Sequence, residues 1–228
     1  MFFRQLLNDE TACASYVLGC PTIGRLAVVD PHIELVDAYL AAAERAGAPI
    51  VAVIDTHVHA DHISGMDELV ARTGATAYPP DVISDGDVID LGNTQMQAVA
   101  TPGHAQAHWA FVVTDHRRAD EPWLVLTGDS LLVNDAGRPD LHAHGQATPD
   151  AMARTLYHSI TERLLTLPDD LLVYPGHYSG SVCGRGLSGH PASTIGFERR
   201  HNKALRHGDA DAFAAALVED MPPAPVLR

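Results

Sequence analysis

An α/β fold is predicted for this chain of 228 residues, and three observations predict it. Short apolar, β-branched runs alternate with helical patterns. Segments rich in His and Asp follow directly after the strand-like runs, and no apolar stretch reaches the length of a membrane span. Leu26 to Val29 reads as a buried strand, Leu35 to Ala46 as an amphipathic helix stopped at Gly47, and Ile50 to Ile54 as a second buried strand. Ser64 is placed to cap a helix running through Arg72, with Gly74 ending it. Gln95 to Ala100, Trp109 to Val113 and Trp123 to Thr127 follow as strands, separated by a turn at Pro102-Gly103 and a polar loop from Asp115 to Glu121. Thr148-Pro149 opens a helix to about Leu165, a cap followed by proline at the first helical position. Leu171 to Tyr174 is a further strand, and helices near Ile195 to Leu205 and Asp209 to Leu217 complete the pattern. One catalytic domain over residues 1–228 is expected, with 222–228 as a peripheral Pro-rich tail.

Charge narrows the partners. Twenty-nine acidic residues against 15 basic ones give a formal charge of -14, which opposes binding to nucleic acid or an anionic membrane. Small-molecule partners are expected instead, and a homodimer is compatible with the sequence. The start, Met1 to Gln5, lacks the apolar core of a signal peptide, so a cytoplasmic location is expected. Cys13, Cys20 and Cys183 are too few and too irregularly spaced for a disulfide framework or a four-thiolate metal site. Cys13 and Cys20 read as reduced core or near-surface thiols. Cys183 lies in a Gly/Ser-rich loop, Ser179 to Ser193, that could approach a pocket.

The chemistry concentrates in Thr56 to His62. His57, His59, Asp61 and His62 bring imidazoles and a carboxylate, the donors a borderline metal prefers, to the end of a buried strand. His104 follows Thr101-Pro102-Gly103, Asp129 follows the apolar run Val125 to Gly128, and His177 follows Leu171 to Gly176. Loops that converge on one sheet edge from several strands make a better metal site than any one of these motifs. His108 is expected in a structural or supporting role, because its neighbours enter the next strand. His142, His144, His158, His190, His201 and His207 have no comparable spacing and are not expected to touch a metal. No phosphate loop, dinucleotide fingerprint or nucleophile elbow competes.

Thr56 to His62, Thr101 to His104, Thr127 to Asp129 and Tyr174 to His177 resemble the metallo-beta-lactamase fold superfamily. That resemblance implies a four-layer α/β/β/α sandwich with metal at one edge. A narrower likeness joins Phe3 to Leu6, His57 to Gly65, Gly137 to Asp140, Thr155 to Ile160 and Leu167 to Asp170, and over about Phe2 to Leu205 the chain resembles the glutathione persulfide dioxygenases. The resemblance implies one Fe2+ per chain on His57, His104 and Asp129, with His59, Asp61, His62 and His177 as hydrogen-bonding neighbours. Persulfide and dioxygen would be the substrates, and sulfite and thiol the products. Arg138 resembles the arginine near the glutathione carboxylate, and Tyr174 and Tyr178 would border the tripeptide. Ala105 stands where those dioxygenases commonly carry a hydroxyl residue. The related glyoxalase II enzymes imply an alternative: a thioester hydrolase with a binuclear Zn2+ or mixed-metal site in which Asp61, His62 and His177 serve the second metal. A non-catalytic, metal-stabilised scaffold that binds thiol compounds is the alternative from another class.

Overall fold

The computed structural model describes residues 1–142, 147–178, 189–219 and 221. In chain order the first sheet comprises β1 (Phe2–Asn8), β2 (Cys13–Cys20), β3 (Arg25–Val29), β4 (Ile50–Ile54) and β5 (Thr76–Tyr78), neighbours in that same order. The chain then forms β6 (Val88–Asp90), β7 (Thr94–Ala100), β8 (Trp109–Asp115), β9 (Pro122–Gly128), a small ribbon of β10 (Leu131–Leu132) and β11 (Asp135–Ala136), and lastly β12 (Leu172–Pro175) and β13 (Ser193–Thr194). The second sheet has the order β13-β12-β9-β8-β7-β6, with β12 parallel to β9 and its other pairs antiparallel. Helices α1 (Val36–Ala46), α2 (Met66–Thr73), α3 (Pro149–His158), α4 (Ile195–His201) and α5 (Ala210–Glu219) complete the elements used below.

The period-two alternation of strand side chains builds the layers. Tyr16, Leu18, Ala27, Val29 and Ile54 of the first sheet meet Met96, Ala98, Phe111, Val113 and Leu126 of the second in one buried core. The opposite face of the first sheet, with Val17, Leu26, Val28 and Val53, packs under Tyr39 and Ala42 of α1 and Leu69 of α2. Across the molecule, Ala110, Val125 and Val173 lie under Ala153 and Leu156 of α3 and Phe213 and Leu217 of α5. The result is the four-layer α/β/β/α sandwich. Strands covered on both faces carry continuous apolar runs, which makes β3 and β4 legible in the sequence.

Helix ends follow the expected chemistry at Gly47, which takes the left-handed conformation at φ 67°, and at Thr148, whose hydroxyl accepts from the Ala151 amide. Other boundaries differ, among them the helix expected near Ile195 to Leu205, which ends at His201 because Asn202 turns extended. α2 starts at Met66 after Gly65, and the Ser64 hydroxyl accepts from the Met66 amide while donating to Asp55. The helix expected to reach Leu165 is regular only to His158. Residues 159–164 widen into a turn closed by Leu165 N to Ile160 O, and the Ser159 hydroxyl donates to Pro102 O at 2.7 Å, tying that turn to the loop that carries His104. Strands β1, β2, β5, β6 and β13 and the β10–β11 ribbon are additions to the sequence reading. The tail over 222–228, His144, Cys183 and the 179–188 part of the Gly/Ser-rich loop lie outside the described residues. Among the described residues no helix is long and apolar enough to cross a membrane.

Candidate metal centre

β4 delivers His57, the loop between β7 and β8 delivers His104, and the end of β9 delivers Asp129. The three are 0–2% exposed. Asp129 Oδ2 lies 3.8 Å from His57 Nε2 and 3.6 Å from His104 Nε2, and one ligand atom from each residue falls within 4.8 Å of the others. These separations exceed a hydrogen bond and approach the roughly 3–3.5 Å edges of a polyhedron built on bonds of about 2.0–2.2 Å. Buried Asp129 Oδ2 has no hydrogen-bond partner, although such an atom ordinarily has one. The donor set therefore fits a cation.

Neighbours settle which nitrogen of each ring is free. Thr56 donates its hydroxyl to Asp30 Oδ2 at 3.0 Å, so its oxygen is left to accept the Nδ1–H of His57 at 2.9 Å. His104 donates Nδ1–H to the Arg138 carbonyl at 2.8 Å. Both Nε2 lone pairs are thereby turned toward Asp129, the arrangement in which a hydrogen bond behind the ring orients the ligand. Burial, with adjacent imidazoles adding to it at His57, holds both rings' pKa below the ordinary histidine value, so both are neutral near neutral pH. Burial opposes ionisation of Asp129, but the His177 ring outweighs it and holds the carboxyl below the usual range. His108 takes the supporting place expected of it. It accepts from the Asp129 amide at 3.0 Å, donates to Thr101 at 2.8 Å, and is driven by burial and by His104 to a pKa of about 3.

This chain of contacts makes Thr56 an orienting residue. Thr56→Val keeps the shape of a fully buried side chain but leaves the His57 Nδ1–H without its acceptor. Metal affinity should fall about 10–100-fold, the range for loss of such a partner, while the fold persists. Competition with a chromophoric chelator measures it, and an unchanged affinity would remove Thr56 from the account.

The remaining predicted groups separate into two neighbourhoods. Asp61, His62 and His177 bond to one another: His177 Nε2 lies 2.8 Å from Asp61 Oδ2, His62 Nδ1 lies 3.2 Å from Asp61 Oδ1, and His177 Nδ1 lies 2.7 Å from Asp129 Oδ1. His59 is turned toward carboxylates, with Nε2 3.2 Å from Asp30 and 3.6 Å from Asp55. Burial resists charge on His59, but the two carboxylates outweigh it and raise its pKa. Asp30, in the left-handed region at φ 50°, also accepts from the Thr56 amide at 2.7 Å and so anchors the start of the motif.

Arg138 is 3% exposed, and its guanidinium grips Asp140 through Nε and one terminal nitrogen at 2.7 and 2.8 Å. Tyr174 packs its ring 4.7 Å from that of Phe3, and the Tyr178 hydroxyl donates to Asp9. Two residues that the spacing argument did not select join the site. The ring of His142 lies 5.4 Å from that of His104 and 6.1 Å from that of His57. Cys13 Sγ lies among Asp61, His62 and His177. His158, His190 and His201 are exposed.

Candidate ligands gathered at one edge of two stacked sheets, each from a loop after a strand, define a class that the sequence relationships share. The chain belongs to the metallo-beta-lactamase superfamily, whose family description, Metallo-beta-lactamase superfamily, matches residues 8–84. Within it the chain is similar to the human mitochondrial persulfide dioxygenase ETHE1, 31% identical over 216 residues that cover 90% of this chain and 76% of that protein. The crystal structure of ETHE1 from Myxococcus xanthus superposes with a TM-score of 0.82 at 31% identity, covering 98% of this chain and 93% of that one. A hydroxyacylglutathione hydrolase of Polaromonas is 33% identical over 175 residues, 72% of this chain and 61% of that protein.

Proposed function

We propose that the protein is an iron-dependent persulfide dioxygenase that converts glutathione persulfide, or a related low-molecular-weight persulfide, to sulfite and thiol. The observation that carries this reading is a contrast in hydrogen bonding. Asp129 Oδ2 has no hydrogen-bond partner beside the Nε2 atoms of His57 and His104, whereas both ring nitrogens of His177 are engaged by carboxylates, Nε2 2.8 Å from Asp61 Oδ2 and Nδ1 2.7 Å from Asp129 Oδ1. Two imidazoles and one carboxylate would hold a single cation and leave coordination positions open on it. Iron held there supplies the redox chemistry with dioxygen that the side chains lack. The protein's part is to keep His57 and His104 neutral and oriented, and to hold Asp129 ionised. Similarity to the persulfide dioxygenases supports the same reading.

A thioester hydrolase with two metals is the second reading, favoured by similarity to the hydroxyacylglutathione hydrolase. It asks Asp61 and His177 to exchange their mutual hydrogen bond for metal bonds. The deciding experiment supplies anaerobically iron-loaded protein with glutathione persulfide in an oxygen-electrode cell and measures sulfite. A parallel assay uses S-lactoylglutathione, and an enzyme-free control accounts for persulfide decomposition. Oxygen uptake coupled to sulfite, with slow thioester hydrolysis, is the expected result. Rapid thioester hydrolysis without oxygen uptake would replace the dioxygenase by the hydrolase.

In this reading Arg138 serves recognition of the anionic thiol compound, held in place by Asp140. Arg138→Ala leaves the backbone carbonyl that orients His104 in place. It should therefore raise KM about tenfold or more with near-normal iron content, and cost about 1–3 kcal/mol of stability through the orphaned Asp140. Loss of iron with an unchanged KM in the folded remainder would refute the recognition role.

A further inference from the structure

Cys13 opens β2 on the first sheet, yet its side chain belongs to the chemical edge. Its sulfur is 3.2 Å from Asp61 Oδ2, 3.2 Å from His177 Nε2 and 3.7 Å from His62 Nδ1, at 6% exposure. The backbone leaves it little freedom. Cys13 and His177 form a β-bridge, the Ala14 amide donates to Gly176 O at 2.7 Å, and the Tyr178 amide donates to Ala12 O at 3.2 Å. Ala12 itself is held in the left-handed region at φ 58°, a conformation a non-glycine residue keeps only when its surroundings impose it. The thiol is thus pinned against the three side chains that would form a second metal subsite.

We propose that Cys13 sets the metal count of the chain at one. The inference rests on the single-cation reading above and adds the residue that enforces it. A second cation on Asp61, His62 and His177 competes with Cys13 for Asp61 Oδ2, into which the thiol donates its S–H, and needs bonds of about 2.0–2.2 Å to each ligand. The sulfur stands in hydrogen-bond contact with two of those ligands and close to the third, so it takes the space and the lone pair together. Replacing it by a smaller side chain opens both. The Asp61, His62 and His177 donors then face a gap that a divalent cation can fill.

The test uses metal-stripped, full-length protein titrated anaerobically with Co2+, with bound cobalt counted by elemental analysis after desalting and its absorption spectrum recorded. Wild type should bind one Co2+ per chain without a thiolate-to-cobalt charge-transfer band. Cys13→Ala and Cys13→Gly, neither of which carries a donor, should each rise to two, and either variant suffices if the other does not fold. Cys20→Ala, which removes a buried thiol on the same sheet away from the cluster, should stay at one. Two cobalt ions in wild type together with the sulfur band would make Cys13 a ligand and overturn the proposal. One ion in both folded Cys13 variants would overturn it equally. Oxygen uptake with glutathione persulfide is followed on the iron-loaded wild type from the same preparation. One ion without uptake defeats the dioxygenase reading while leaving the role of Cys13 intact.

Discussion

Asp129→Asn should empty the metal site. The side chain is completely buried, its Oδ1 lies 2.7 Å from His177 Nδ1, and its Oδ2 faces two neutral imidazole nitrogens without a donor of its own. An amide of the same shape keeps an oxygen for His177 but turns an NH2 group, which has no lone pair to offer, toward His57 and His104. It also withdraws the negative charge that balances a divalent cation in a low-dielectric site. The loss of affinity should exceed about 100-fold, or about 2.7 kcal/mol, because it removes a ligand rather than a neighbour of one. Elemental analysis and the persulfide assay should fall together. The metal-free variant should melt within a few degrees of metal-free wild type, since the substitution removes a buried charge and adds no volume. Full iron content in the folded variant would rule out Asp129 as a ligand.

Gly137→Ala should be the most damaging single-methyl substitution around the site. A Cβ at Gly137 would fall 1.9 Å from the Asp129 carbonyl oxygen and 3.1 Å from His104 Nδ1. The first contact is with backbone, which cannot rotate aside as a side chain does, so β11 and the turn after β9 must separate. A cost above about 3 kcal/mol is expected, in the range reserved for overpacking and broken buried networks. Iron occupancy should fall as well, because the same shift displaces two of the three proposed ligands. Gly208→Ala is the matched control, since a methyl group there meets nothing within 4 Å, and it should change stability by no more than about 0.5 kcal/mol. Urea unfolding of the three proteins measures the contrast. A Gly137→Ala protein as stable as the control would show that the carbonyl yields more readily than this packing allows.

The sequence showed most clearly what repeats along the chain. β3, β4 and β9 are apolar runs buried on both faces, and each of the two later ones ends in a residue whose chemistry has few other uses, His57 after β4 and Asp129 after β9. β2 is just as buried, but it reads Cys-Ala-Ser-Tyr-Val-Leu-Gly-Cys, in which small and polar residues break the apolar run. Its Ser15 is satisfied by Leu6 O and the Tyr39 hydroxyl, partners 9 and 24 residues away that no local pattern announces. β5 and β6 are three-residue edge strands with exposed positions, too short for a period to register. Cys13 is not recognisable as part of the site for a similar reason. Its partners Asp61 and His177 are 48 and 164 residues away, so only the stacking of two sheets brings them together. His142 precedes the long helix in a segment without ligand spacing, and its position beside His57 and His104 is a tertiary result.

The two sheets are stitched together by main chain at the edge where the chemistry sits. His57 bridges His108 with the Trp109 amide donating to Thr56 O at 2.9 Å, and Cys13 bridges His177 with Ala14 donating to Gly176 O. The sandwich is therefore bound like a book whose spine runs behind the candidate ligands, while β5 and β6 are the loose page edges. Local opening should begin at those short outer strands and reach the spine only with global unfolding. The amides of Ala14, Trp109 and Gly176 would then be among the last to exchange with deuterium. A molecule bound in this way does not admit a bulkier substrate by prying its sheets apart, so a change of substrate is met by the loops in front of the spine while the ligands behind them keep their spacing.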